Sequence, residues 1–174
     1  VQQTFDKGLQ CILNTQIRKN GKLTVWCQQH HFETLEPVGA RKYERPSFSG
    51  SHETADIVEM LMSISNPSKE VIASVEAAVD WLRKHRIEDM RLKQFKNAKG
   101  EFDRQLVEEK GAPHLWARYY DLETEKPFYM DRRGIKLDNY NDLEHERRIG
   151  YSYIDSDVQD VLDKYPLWIT KVRP

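Results

Sequence analysis

Residues 67–84, PSKEVIASVEAAVDWLRK, decide how the fold is read. Val71, Ile72, Val75, Ala78, Val79 and Leu82 recur at spacings of three and four, so one face of a helix is apolar and the opposite face carries Lys, Glu and Asp. Pro67 suits the first turn of such a helix, where its missing N–H costs nothing. Upstream, Ser51 precedes the acidic Glu53, and Ile57, Val58, Leu61 and Ile64 repeat the pattern, predicting a second helix that ends by Asn66. Before that, Val1, Phe5, Leu9, Ile12 and Leu13 share a helical face without a capping residue ahead of them, and Asn20-Gly21 offers a C-terminal stop after about Ile17. Downstream, Ser156 with Gln159 has the spacing of a capping box, opening a short terminal helix that Pro166 is expected to end.

Between these helices the periodicity fails. Leu23 to Thr54 holds Pro37, Gly39, Pro46 and Gly50 with no sustained pattern, and a loop of that length in a small domain points to function. From Ile87 to Lys110, Asn97-Ala98-Lys99-Gly100 reads as a turn joining two short strands. The stretch Arg83–Arg104 has eight Lys or Arg against four Asp or Glu, which describes a solvated protrusion or, alternatively, a lip for a polyanion. His114 to Gly134 reads as two aromatic strands around the polar turn 123–126. The 174 residues predict one unit, 1–174.

Composition removes several function classes. Twenty-seven Lys and Arg against 28 Asp and Glu leave a net charge of −1, without the basic signature of a nucleic-acid or membrane-surface binder. No run of 18 apolar residues spans a bilayer, and no signal-peptide profile is present. Cys11 and Cys27 supply at most half of a tetrahedral metal site. No Gly-rich phosphate loop, His-Glu-x-x-His or G-x-S-x-G occurs. His30 and His31 are adjacent, so on an extended segment they face apart and share no ion. Glu53 and Asp56, three apart on a helix, have the form of a glycosidase carboxylate pair or of ordinary helix-end charge.

The informative pattern is arginine beside aromatics. Arg41 and Arg45 flank Tyr43, Arg118 sits between Trp116 and Tyr119, Arg132 and Arg133 follow Tyr129, and Arg147 and Arg148 precede Tyr151. Guanidinium forks match carboxylates bidentately, and a mixture of guanidinia and aromatic rings suits an acidic polysaccharide. The same mixture also describes arginines stacked and paired with local Asp and Glu for structural reasons.

Three stretches carry a resemblance: LTVWCQQHHFETLEPVGARKYERPSFSGSHET (23–54), LWARYYDLETEKPFYMDRRG (115–134) and HERRIGYSY (145–153). In that order they resemble the pectate lyases of polysaccharide lyase family ten. The resemblance implies a mainly α fold, part of an α/α barrel, with a small β-hairpin and long loops. It implies β-elimination of de-esterified polygalacturonate with calcium as cofactor and an arginine as base. Motif by motif, it puts the base on Arg132 in MDRRG and substrate binding on Arg118 in WARYY and Arg41 in GARKYE; beside these, Tyr43 and Trp116 are expected to line the groove, and Arg133 is a second candidate for contact with substrate. It implies no metal ligand in this chain, the calcium aspartates belonging to an N-terminal half that would be the partner of this one, and a secreted or periplasmic location. Two other readings stay open: a non-catalytic pectin-binding module lacking the calcium half, and a hydrolase using Glu53 and Asp56.

Overall fold

The computed structural model describes residues 2–173; the expectation of an uncapped entry at Val1 lies outside them. Helix α1 (Gln2–Thr15) leads into strands β1 (Arg18–Lys19) and β2 (Lys22–Leu23). Asn20-Gly21 does not close a helix. Both residues have positive φ, 50° and 77°, and form the two-residue turn of the β1–β2 hairpin. The dipeptide is a helix stop and a tight hairpin turn in equal measure, and the helix has already ended at Thr15.

Strand β3 (Phe48–Ser49) precedes α2 (His52–Met62) and α3 (Lys69–Lys84). The third helix follows the sequence pattern closely: Val71, Ile72, Val75, Ala78, Val79 and Leu82 are buried, and Ser68 caps the helix by accepting a bond from the Val71 N–H. Strands β4 (Met90–Lys96) and β5 (Phe102–Glu108) form the hairpin expected around residues 97–100. Strands β6 (Trp116–Ala117), β7 (Tyr119–Tyr120), β8 (Pro127–Met130) and β9 (Lys136–Leu137) follow, then a 3-10 turn, Tyr140–Asp142, and helix α4 (His145–Gly150). Strand β10 (Ile154–Asp155) and helix α5 (Val158–Val172) complete the described chain. Helix α5 continues through Pro166, against expectation. Proline forfeits one helical hydrogen bond, while Tyr165 and Trp168 on either side pack against the core and hold the helix together.

The expectation of a mainly α, partial α/α barrel is overturned. Helix accounts for 37% and strand for 21%, and no closed barrel forms among the described residues. The sheet order is β3-β7-β8-β9, with β6 paired to β10 and two separate hairpins, all antiparallel. One core lies among α2, α3 and α5 with Trp26, Phe48, Trp116 and Tyr120. A second, aromatic core gathers Tyr119, Phe128, Tyr129, Met130, Tyr140 and Tyr153. Both cores meet at β6–β7, so the one residue between these strands, Arg118, is fixed from two sides.

Candidate active site

Arg118 is held by its backbone before its side chain makes any contact. Its N–H donates to the Tyr153 carbonyl at 2.8 Å, and its own carbonyl accepts from Gly50 N–H at 3.3 Å. The guanidinium then reaches Glu53 in the first turn of α2: Nε and Nη2 donate to Oε1 at 2.9 and 2.6 Å. Gln28 Nε2 donates to the same oxygen at 2.8 Å, and the Ser49 and Ser51 hydroxyls donate to Oε2 at 3.0 Å each. Burial pushes the Glu53 carboxyl up, but Arg118, His52 and the hydrogen bonds outweigh it and hold the group below its ordinary range. It is therefore a fixed anion.

Around this pair stand the other arginines. Arg41 pairs with the buried Glu44, whose carboxyl is lowered chiefly by that hydrogen bond, and which also feels Arg118. Tyr43, half-buried, lies between two guanidinia, Arg41 at 5.1 Å and Arg147 at 4.6 Å from its ring centre. Arg147 is only 1% exposed, and it also faces the rings of Tyr151 and Tyr153 at 3.7 and 5.6 Å. Its Nη2 donates to Tyr153 Oη at 2.6 Å. Such cation–π contacts contribute most where the cation is desolvated.

The 131–134 turn adjoins this group: a Cβ on Gly134 would lie 2.8 Å from the Lys42 carbonyl oxygen. Arg132 on that turn is 67% exposed and donates to Glu146 at 2.5 Å, while the exposed Arg133 pairs with Asp131 at 2.7 Å. The 131–134 turn thus lies against the segment that carries Arg41 and Tyr43, and Glu44 links Arg41 to Arg118, the most buried of the four arginines. Trp116 is a correction. It is fully buried in the first core, with its indole N–H donating to the Leu82 carbonyl at 2.8 Å, and no sugar ring can reach it. Tyr119, next to Arg118, has its hydroxyl pushed up to about 12 by burial, so it offers no ready base.

The glycosidase pair does not assemble. Glu53 is spent on Arg118 and three neutral donors, and Asp56 is exposed on the next turn of α2. A general acid needs a raised pKa, whereas Glu53 is lowered. Sequence reasoning missed Gln28, Ser49, Ser51, His52 and Asp155. A signal for three of them was at hand in the dense polar run SGSHE directly before the apolar face of α2.

Calcium needs several oxygen ligands converging on one point. Among the described residues no three His, Cys, Asp or Glu side chains converge in that way, and Glu44 and Glu53 are taken by arginines. These residues do not fit the ion, and no step below passes through it.

Each of the four arginines is thus paired with a carboxylate, from the buried Glu44 and Asp131 to the half-exposed Glu146. The family model for pectic acid lyase matches residues 1–162. A mutant of family 10 polysaccharide lyase from Cellvibrio cellulosa, solved in complex with trigalacturonic acid, is 31% identical with a TM-score of 0.78, covering 97% of this chain and 50% of that one. The family 10 polysaccharide lyase from the same organism matches at 31% identity and a TM-score of 0.78, over 96% of this chain and 49% of the other. A search of curated proteins finds no match. The chain belongs to the pectic acid lyase family and spans about half the length of the solved lyases it matches.

Proposed function

We propose that this chain carries the arginine face of a pectate lyase that cleaves de-esterified polygalacturonate by β-elimination. The observation that supports the reading is the Arg118–Glu53 pair, a partly buried guanidinium whose carboxylate accepts five hydrogen bonds, with Arg41 linked to it through Glu44. Elimination removes the proton on carbon five of a uronate, next to its carboxylate. Arginines on that carboxylate stabilise the charge that develops as the proton leaves, which makes the carbon acid stronger. Arg118 and Arg41 grip uronate carboxylates, and Tyr43 fixes the guanidinium between which it stacks. In keeping with the family, the protein is secreted or periplasmic; no helix among the described residues is long and apolar enough to cross a membrane.

The motif argument names Arg132 as base. A guanidinium has no lone pair to offer until it gives up a proton, so abstraction by Arg132 requires substrate to displace Glu146, whose charge favours the protonated form, and the guanidinium to release one proton to solvent before it takes the proton of carbon five. Both residues are more than half exposed and free to part. The experiment is turnover of polygalacturonate by the protein and by Arg132→Ala, Arg118→Ala and Arg41→Ala. The expected result is an ultraviolet-absorbing unsaturated product, abolished in Arg132→Ala. Substantial turnover in Arg132→Ala rejects that residue as base, and abolition confined to Arg41→Ala moves the role there. Reducing ends without the chromophore would mean hydrolysis, and retardation in a pectate gel without turnover would mean a binding module.

A further inference from the structure

His52 and Asp155 are unused by the chemistry above, and both adjoin it. His52 is the first residue of α2, directly before Glu53, and its side chain is 39% exposed. Its Nε2 lies 3.5 Å from Glu53 Oε1, the same oxygen that takes Arg118 Nη2 at 2.6 Å. On the other side, Nδ1 lies 3.7 Å from Asp155 Oδ2 and 3.5 Å from Ser51 Oγ. Each ring nitrogen therefore faces a carboxylate oxygen.

Asp155 is the odd member. It sits in β10, opposite the fully buried Trp116, and both its carboxylate oxygens are buried without a hydrogen bond of ordinary geometry. An unsatisfied buried carboxylate is costly and calls for an explanation. The charged groups facing it are His52, the neighbouring Asp157, and Arg91 across a cavity of about 270 Å³, and Arg91 is already bound to Glu109. Burial and Asp157 push the Asp155 carboxyl up to about 6, while His52 opposes them. Beside the Asp157 backbone N–H, the imidazole is thus the group that favours the ionised form of this carboxylate.

Elimination has a second requirement besides a base. As carbon five loses its proton, the C4–O4 bond breaks and its electron pair stays on the glycosidic oxygen, which must gain a proton to leave as a hydroxyl. Resting on the lyase reading, we infer that His52, oriented by Asp155, delivers that proton from Nε2 to the departing oxygen. The balance closes without any other reactant: the base takes one proton from carbon five, the C4=C5 double bond forms, His52 gives one proton to O4, and afterwards the base releases its proton to solvent while His52 takes one up. Asp155 is a positioning residue in this scheme, since it touches only the imidazole.

The test is made in the protein that carries this chain, with His52→Gln, Asp155→Asn and the double variant. Two substrates are compared: polygalacturonate, and a synthetic oligouronate whose C4 leaving group is 4-nitrophenoxide and needs no protonation. For His52→Gln, kcat on polygalacturonate falls about 100-fold or more with KM changed little, and the deficit shrinks to a few-fold on the activated substrate, as expected of a lost general acid. Asp155→Asn shows a smaller loss with the same rescue, and the double variant is no worse than His52→Gln alone. An equal loss on both substrates, or undiminished turnover of polygalacturonate, overturns the inference while leaving the lyase reading intact. A wild-type protein that makes no unsaturated product overturns both.

Discussion

The Arg118–Glu53 pair gives the sharpest test of how the site is held. Replacing Glu53 by Gln keeps the side-chain shape and removes the charge, so Arg118 loses its partner at 2.6 and 2.9 Å and the Ser49, Ser51 and Gln28 donors lose an anion. At that separation and an effective dielectric of about 20, the gross attraction is roughly 6 kcal/mol. Part of it is recovered by solvation, because the two side chains are 21% and 23% exposed. Hydrogen bonds to charged groups contribute about 1.5–3 kcal/mol each in mutational series, so a net loss of about 2–3 kcal/mol is expected for Glu53→Gln. In a protein of 174 residues this corresponds to a fall in Tm of roughly 4–12 °C. The assay is urea denaturation of the wild type, Glu53→Gln, Arg118→Ala and the double variant, closing a thermodynamic cycle. A coupling energy above about 1.5 kcal/mol is expected at neutral pH. Glu53 has a lowered carboxyl, so its contribution is present above the unfolded value near 4.3 and is lost as pH falls through the folded value. A coupling below about 0.5 kcal/mol at pH 7, or one that grows as the solution is acidified, would refute the reasoning.

Two further outcomes follow from the same geometry. A Cβ on Gly39 would sit 2.1 Å from the Glu44 carbonyl oxygen, so Gly39→Ala must spread the 39–44 turn that carries Arg41 and Tyr43; a loss of about 1–3 kcal/mol in urea and weaker retardation in a pectate gel are expected, while Gly8→Ala, with open space around it in α1, is neutral or stabilising, and equal behaviour of the two variants would sink the claim. The buried Asp155 carboxyl titrates at about 6 when folded and near 3.9 when unfolded, so its ionisation removes stability as pH rises between those values; Asp155→Asn should raise Tm at pH 7.5, by an amount corresponding to about 2 kcal/mol, and leave it unchanged at pH 4, as read by a thermal melt at each pH.

The second of these couples stability to function, since the residue whose ionisation destabilises the fold is the one that orients His52. Stability withheld at a site is a recurrent property of functional residues, and nothing local in the sequence marks it. What the sequence did disclose was periodic. Helices α2 and α3 were legible from apolar spacing, and the Ser68 cap sits one residue beyond Pro67, shifting the start of α3 but not its face. The β4–β5 and β7–β8 hairpins were legible from their turns. Strands of two residues, such as β3, β6 and β10, carry no period at all, which is why the mixed architecture was read as helical. Trp116 stands close to Arg118 in the sequence, which made it a groove candidate, but both residues of β6 are buried and its ring belongs to the first core. Within the site, the arginines were visible by type, but their partners were not. Arg118 and Glu53 are 65 positions apart, and only the β3–β7 pairing, Ser49 against Tyr119, brings their elements side by side.

Every arginine of this face already holds a carboxylate, and the geometry at Arg118 explains how it can still meet a substrate. A guanidinium presents five N–H donors in a planar fork. Glu53 takes Nε and Nη2 through one oxygen, occupying one edge and leaving the Nη1 end uncommitted among the described contacts. The partly buried carboxylate therefore serves as an orienting anchor on one edge, while on the proposed reading the other edge stays available for a uronate. This differs from Arg132 and Glu146, both more than half exposed, where nothing fixes the pair and an incoming carboxylate displaces the partner outright. The anchored arginine gives direction at little cost in ordering, and the mobile one gives adaptability. A lysine at position 118 would keep the charge but not the second edge, so on the proposed lyase reading Arg118→Lys is expected to weaken retardation in a pectate gel although the net charge of the chain, −1, is unchanged.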